Sequence, residues 1–491
     1  MFTKRQAPAN LNTVQEEMEA IIDKGLDLNN RPYSVIVVGA GVAGLVAASL
    51  LKRAGHRVTI LEGNNRVGGR VYTIREPFTI GNYLEAGAMR FPDTHKLTLA
   101  YINKFKLPFH RFNNTNENDY LFVNGKVLPT ALYEENPDLL GFPLPEEEQG
   151  KTAEELFTES VQPFIDLYNS QDEEGKKLLI EKFNKYSFED FLRNNPIGRS
   201  LSPNAIRMIK VLLGIEGFPE YSFTDILLDI VSTVFNEDLR FLQITGGNDL
   251  LPKAFLNEVG SNIILNQKVE EIIQYPDHVS VIARDVKSGS HNIYNGDFLI
   301  TTVPYSAFQF IDVHPYSSFS FDKWKAIREL NYVTSVKIGL EFKRKFWETQ
   351  NIGNITSDFP IRFTYNPSDS YYDQGPAVML ASYSWGQNAM LWSSLSDEVK
   401  ISEALRGLAK IYGHVVYEEY LNGAVYDWGR NPYSAGCFTL FTPYQEQDFG
   451  DALFTPEGRV HFAGEHTSNY HGWVEGAIES GIRAAIEVNG R

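Results

Sequence analysis

The run Val35-Ile-Val-Val-Gly-Ala-Gly-Val-Ala-Gly-Leu-Val-Ala-Ala-Ser-Leu-Leu51 constrains this chain more than any other stretch. Four consecutive β-branched residues read as a buried strand, and the alanine- and leucine-rich run after the glycines reads as an apolar helix. Gly39, Gly41 and Gly44 fit the spacing G-x-G-x-x-G: the first permits a tight turn, the second lets a pyrophosphate approach the backbone, and the third lets helix and strand pack closely. Ala43 lies in the first helical turn, whose unpaired N–H groups and partial positive charge suit phosphate. A second strand, Arg57–Leu61, ends at Glu62, 23 residues after Gly39. Its carboxylate can accept both ribose hydroxyls of an adenosine and disfavours a 2′-phosphate, so the stretch reads as a dinucleotide cradle.

At 491 residues the chain is long enough for two or three domains. A formal net charge of −17 disfavours nucleic acid and anionic membranes as partners. No apolar run approaches the roughly 20 residues of a membrane span, and no apolar segment follows the basic Met1–Gln6, so a cytoplasmic protein is expected. The single cysteine, Cys437, excludes an intramolecular disulfide and a multi-cysteine metal site. His466 and His471 have no acidic or cysteine partners at metal spacing, so no metal is expected.

Ahead of the cradle, Thr13 to Lys24 reads as a helix with Thr13 as cap and Glu16 at the capping-box position. After Glu62, the glycine pair of Arg66-Val-Gly-Gly-Arg70 permits close backbone approach at Gly69, and the arginines can meet phosphate. Arg90, in Gly87-Ala-Met-Arg-Phe-Pro92, sits in apolar company as either a structural ion-pair partner or a receptor for a ligand anion. An amphipathic helix follows from about Thr94. From Leu132 to Glu237 helical signals dominate: the capping box Thr152–Glu155, a start at Ser187, and Ser202-Pro203. Asp172–Lys177 reads as a solvated face or loop. Short strands over 239–251, 263–265, 269–273, 279–283 and 297–304 can complete the nucleotide sheet, and an aromatic-rich strand region from Asn331 to Trp385 suggests a second sheet.

With the glycine cradle, Glu62, Arg66-x-Gly-Gly-Arg70, Asp297–Pro304 and Phe462-Ala-Gly-Glu465 all in order, the chain resembles the flavin-dependent amine oxidase superfamily over nearly its whole length. Gly87–Pro92 and the helical insertion are similar to those of the L-amino-acid oxidases. The resemblance implies an α/β fold: a Rossmann-like FAD-binding domain from 33–72, 238–305 and 445–491, a mixed-sheet substrate domain from 1–32, 73–131 and 306–444, and an inserted helical domain over 132–237. It implies FAD held by Gly39, Gly41, Ala43, Gly44, Glu62, Gly69, Arg70, Met89, Arg90, Val269, Gly464, Glu465, Trp473 and Val474.

The resemblance further implies that Arg90, with Tyr365, receives a substrate carboxylate, Tyr371 and Tyr372 being alternatives for the tyrosine. Gly472 takes the ammonium through its carbonyl, and Trp473 and Phe438 wall the pocket. Lys337 holds a water at the flavin; the plain alternatives are a strand-edge lysine and, for Trp473, a core residue. Ser434-Ala-Gly-Cys-Phe438 is similar to the segment in which monoamine oxidases tether flavin, so Cys437 is either a small buried residue or a tether. The expected activity is oxidative deamination of an L-amino acid by O2, giving a 2-oxo acid, ammonia and hydrogen peroxide, in a homodimer. The alternatives are an L-amino-acid monooxygenase, a monoamine or polyamine oxidase, and a non-catalytic flavoprotein.

Overall fold

The computed structural model describes residues 11–231 and 239–491. Its organising element is a five-stranded parallel sheet in the order Ile263–Leu265, Arg57–Glu62, Ser34–Val38, Phe298–Thr301, Val460–Phe462. Because side chains alternate along a strand, Val35, Val37 and Ile60 face one layer while Ile36, Val38 and Leu61 face another. The first layer is helical, formed by Val42–Arg53, Val474–Asn489 and Lys96–Lys104. Val269, Val279 and Val281 of a separate four-stranded sheet contribute to the second.

That four-stranded sheet corrects the sequence reading. Only Ile263–Leu265 and Phe298–Thr301 of the five short segments join the nucleotide sheet. Gln267–Gln274 and Val279–Asp285 pair with each other as an antiparallel unit, and Phe241–Ile244 joins Phe91–Pro92 and Phe109–Arg111. Strand propensity is local, whereas the partner of a strand is set by packing at long sequence separation.

The helix expected over 13–24 spans Leu11–Lys24; the side chain of Thr13 and residues 232–238 lie outside the described residues. The expected caps at Thr152, Ser187 and Ser202 are present, each accepting a backbone N–H three residues on. Asp172 caps a further helix, Glu173–Phe183, and the solvated face expected over 172–177 is the exposed start of that helix. The amphipathic helix expected from about Thr94 to Lys104 spans Lys96–Lys104, starting after His95.

A seven-stranded mixed sheet forms the other half of the molecule, with Ser335–Phe342 between Ala377–Trp385 and Tyr420–Asp427. Val336, Ile338, Leu340 and Phe342 pack against Asp397–Tyr412. The alternate positions, Ser335 and Lys337 among them, face the other way, toward the loop Glu85–Arg90.

Candidate active site

One cavity of about 1240 Å³ is lined at one end by Gly39 and Glu62 and at the other by Phe218 and Trp385. It exceeds the roughly 300–1,000 Å³ of an ordinary small-ligand pocket, as an extended ligand plus a second compartment requires. Every residue named above for cofactor or substrate lines it except Gly44, Lys337 and the two alternative tyrosines, Tyr371 and Tyr372.

At the nucleotide end, Gly41 caps the helix Val42–Arg53 without a side-chain hydrogen bond, leaving the first helical N–H groups directed at the cavity. A Cβ added at Gly41 would meet no protein atom within 4 Å, so the space beside it belongs to the cavity. At Gly44 the added atom would stand 2.0 Å from the Gly39 carbonyl oxygen, which explains its role in packing and its absence from the lining. Gly39 has φ +107°, and its added Cβ would strike Thr302 Oγ1. Glu62 accepts the N–H groups of Ala40 at 2.7 Å and Asn64 at 2.8 Å. Burial pushes its carboxyl above the ordinary value, against those two bonds. These features fit a dinucleotide with a ribose at Glu62 and a pyrophosphate at Gly41.

The middle of the cavity is braced by Arg70 and Glu465. Glu465 Oε1 accepts from Arg70 Nη1 at 2.5 Å and from the Thr439 N–H at 3.1 Å, and Oε2 accepts from the Gly472 N–H at 3.5 Å. The carboxylate thus links three segments that meet here. Arg66 turns onto the carbonyls of Val67 and Gly69, with its guanidinium 3.8 Å from the centre of the Tyr72 ring.

The loop between Glu85 and Arg90 is held by four hydrogen bonds from three side chains. Trp428 Nε1 donates to Ala86 O at 2.7 Å, Asn248 Nδ2 to Ala88 O at 2.9 Å, and Lys337 Nζ to Glu85 O at 3.1 Å and Gly87 O at 2.6 Å. Gly87 admits no larger residue, since an added Cβ would lie 1.9 Å from Arg70 O. Lys337 is 1 % exposed on an interior strand, which excludes the strand-edge reading. Burial brings its amine down to about 7, opposed by the Glu85 carboxylate. Burial likewise pushes Glu85 up to about 8, against its bonds from Asn248 and Thr73 and the nearby Lys337.

Arg90 is 8 % exposed inside an aromatic box. Its guanidinium carbon lies 4.9 Å from the ring centre of Phe241, 5.5 Å from Phe112 and 5.6 Å from Tyr365, and Nη1 donates to Asn114 Oδ1. Among the described residues no carboxylate pairs with it. Of the three tyrosines considered, Tyr365 lines the cavity, whereas Tyr371 is exposed over Gly81 and Tyr372 donates to Ile80 O.

Phe438 packs against Gly472, where φ is +77° and an added Cβ would meet the ring at 3.3 Å. Trp473 stands edge-on to His95, ring centres 5.0 Å apart, and lines the cavity at the start of helix Val474–Asn489. Cys437 Sγ donates to Val333 O at 2.9 Å, and burial pushes its thiol up to about 12, so it is not a thiolate at neutral pH. His466 is buried, and burial holds its imidazole well below the ordinary value. Among the described residues no group of His, Cys, Asp or Glu could hold a metal ion, and no helix is long and apolar enough to cross a membrane.

The sequence reading missed Asn114, Phe218, Tyr383, Trp385 and Trp428, all of which line the cavity. The alternation of Tyr383 with Trp385 along one strand face was a usable signal. Asn114 carried none, because its contact with Arg90 exists only in the folded chain.

Residues 42–489 match the model of a family described as flavin containing amine oxidoreductase. The chain is 43% identical over 478 residues to a putative L-amino-acid oxidase of Bacillus subtilis (strain 168), covering 97% of this chain and 98% of that one. It is 37% identical to an L-amino-acid oxidase of Siganus canaliculatus, covering 96% and 88%. Among solved structures, cyclohexylamine oxidase from Brevibacterium oxydans IH-35A shares the fold, with TM-score 0.75 at 18% identity over 94% of this chain and 99% of that one.

Proposed function

Since the chain belongs to the flavin-containing amine oxidoreductases, we propose that it is an FAD-dependent L-amino-acid oxidase releasing a 2-oxo acid, ammonia and hydrogen peroxide. The observation that carries this reading is Arg90, a buried guanidinium facing the cavity with no carboxylate partner among the described residues. An α-carboxylate supplies that partner, because the planar fork of guanidinium matches it through two parallel hydrogen bonds.

The residues divide the work. Asn114 occupies one N–H of Arg90 and sets the plane of the fork, while Phe112, Phe241 and Tyr365 keep water from it. Tyr365 completes the carboxylate site. The Gly472 carbonyl takes the substrate nitrogen, and Phe438 and Trp473 hold the side walls, so that Cα is presented in one orientation. The residues named for FAD would hold it along the cradle, with Glu62 at the ribose and the helix starts at Val42 and Val474 toward its charged groups. Bound FAD supplies the two-electron acceptor for the Cα hydrogen and returns the electrons to dioxygen. Lys337 stands behind the Glu85–Arg90 loop, outside the cavity lining, and its amine would hold a water beside that loop.

FAD is held without a covalent bond in this reading, supported by the Cys437 thiol being engaged with Val333 and held protonated. The division into FAD, substrate and helical domains with the boundaries given above, a homodimer and a cytoplasmic setting belong to the same proposal. Anaerobic titration of the purified protein with the twenty L-amino acids, followed by flavin absorbance, tests it. Bleaching followed on aeration by peroxide and 2-oxo acid is the expected result. An amide with carbon dioxide would establish a monooxygenase instead, and equal bleaching by decarboxylated amines would establish an amine oxidase.

A further inference from the structure

Arg362 and Glu216 join two walls of the cavity that come from distant parts of the chain. Arg362 Nη1 lies 2.6 Å from Glu216 Oε2, with the side chains 11% and 14% exposed. Glu216 sits between Gly214 and Phe218, and Arg362 precedes Phe363 and Tyr365; those four neighbours line the cavity. The pair therefore bridges the helical segment to the mixed sheet immediately behind the lining.

Both partners are held in place. Arg362 has φ +53°, an uncommon conformation for a residue with a side chain. Its Nη1 also donates to Asp358 O at 2.9 Å and its Nη2 to Asn388 Oδ1 at 3.0 Å. The other oxygen of Glu216 is taken by Arg207. Beside the pair the two backbones touch: a Cβ added at Gly386, where φ is +55°, would stand 2.5 Å from Gly217 O. The consequence is a narrow chamber, with ring centres of Phe218 and Trp385 5.7 Å apart and those of Phe218 and Phe438 6.2 Å apart.

We propose that the Arg362–Glu216 ion pair is a clasp that holds the helical segment against the mixed sheet and so sets the width of the compartment for the substrate side chain. It is a positioning pair that determines specificity and touches neither substrate nor cofactor. This rests on the L-amino-acid oxidase reading and assigns the chamber among Phe218, Trp385 and Phe438 to the substrate side chain. Loss of Glu216 leaves Arg362 and Arg207 without their carboxylate, and loss of Arg362 leaves Glu216 held from the helical side alone, so in either case the two walls are free to separate.

The test compares E216Q, R362Q and the double variant as holoenzymes, with L-phenylalanine and L-alanine as probes. Each single variant should raise KM for L-phenylalanine about tenfold, within the coupling range for residues in contact, with kcat changed by less than about twofold. The double variant should be no worse than E216Q, because the Arg362–Glu216 interaction is already lost there together with the Arg207 pair. KM for L-alanine, which does not reach both walls, should move less. Amide hydrogen exchange should quicken in segments 212–218 and 361–366.

Additive effects of the two substitutions, a fall in kcat alone, or unchanged exchange would each overturn the clasp. Should the Gln variants fail to fold, N388A removes only one anchor of the guanidinium and is expected to act in the same direction with a smaller effect; unchanged KM and exchange there would overturn the proposal equally. The exchange measurement needs no substrate. A wild type that no L-amino acid reduces would therefore refute the functional reading while the clasp was still being tested.

Discussion

Lys337 Nζ and the carbonyl oxygen of Gly87 meet at 2.6 Å, tying an interior strand of the mixed sheet to the loop that presents Arg90. The Glu85 carboxyl is the nearby opposite charge on that lysine, with the two groups brought to about 8 and about 7. Whichever of the pair holds the proton in between, their summed charge passes from +1 to −1 across this interval. Negative charge develops on dioxygen as it is reduced, so a cationic pair favours that step. The reoxidation rate of the reduced enzyme is expected to fall as pH rises from about 6.5 to 8.5. K337M should lower the rate at pH 6 and flatten the profile, as read by stopped-flow mixing with oxygenated buffer.

Glu85 also sets a pH dependence of stability. Its folded value lies above the ordinary carboxylate value, so the native state binds the extra proton between the two. Its contribution is full below about 4.5 and is lost as pH rises through about 8, at no more than about 1.4 kcal/mol per pH unit. E85Q, which keeps a neutral side chain, should remove that component. Denaturant unfolding of both proteins between pH 5 and 8.5 measures it, and parallel curves would show that Glu85 is not the source.

Removing Arg90 strands the substrate carboxylate in an aromatic box. Truncating one member of a buried charge pair costs on the order of 2–5 kcal/mol. Arg90→Ala should therefore lower kcat/KM for an L-amino acid by roughly 30-fold to several thousand-fold. Arg90→Lys should lose much of the activity as well, since an ammonium lacks the planar fork. The ratio of amine to amino-acid turnover should rise in Arg90→Ala with flavin content near normal. Stopped-flow reduction with an amino acid and its decarboxylated amine reads that ratio, and no change would place the carboxylate elsewhere.

The two glycines of the cradle separate folding from cofactor binding. Gly41 has φ −72° with open space beside it, so Gly41→Val should fold yet be colourless, its side chain filling the cavity where the pyrophosphate belongs. At Gly44 even one added carbon overlaps the Gly39 carbonyl, so Gly44→Val should fail to fold. Circular dichroism and flavin absorbance distinguish the two, and a yellow Gly41→Val protein would contradict the cradle assignment.

Cys437 is expected to leave the flavin unattached. Acid or heat denaturation should release all flavin from the polypeptide, and Cys437→Ala should cost about 1 kcal/mol for the small lost volume. Flavin retained by the denatured chain would establish a tether.

The cradle was legible in the sequence because its determinants are local. A β-branched run, three glycines and a carboxylate 23 residues after Gly39 act through backbone conformation and steric room within one strand–helix–strand unit. The helix starts at Thr152, Ser187 and Ser202 were legible for the same reason, since a cap bonds three residues along its own chain. Only the tertiary structure decided which sheet the strands around residues 267–285 join, because pairing is chosen by packing at long range. It also decided that Lys337 lies on an interior strand, that Arg90 meets Asn114, and that Arg362 meets Glu216. In each case burial or a partner far along the chain gives the side chain its properties, and the identity of the residue does not contain that information.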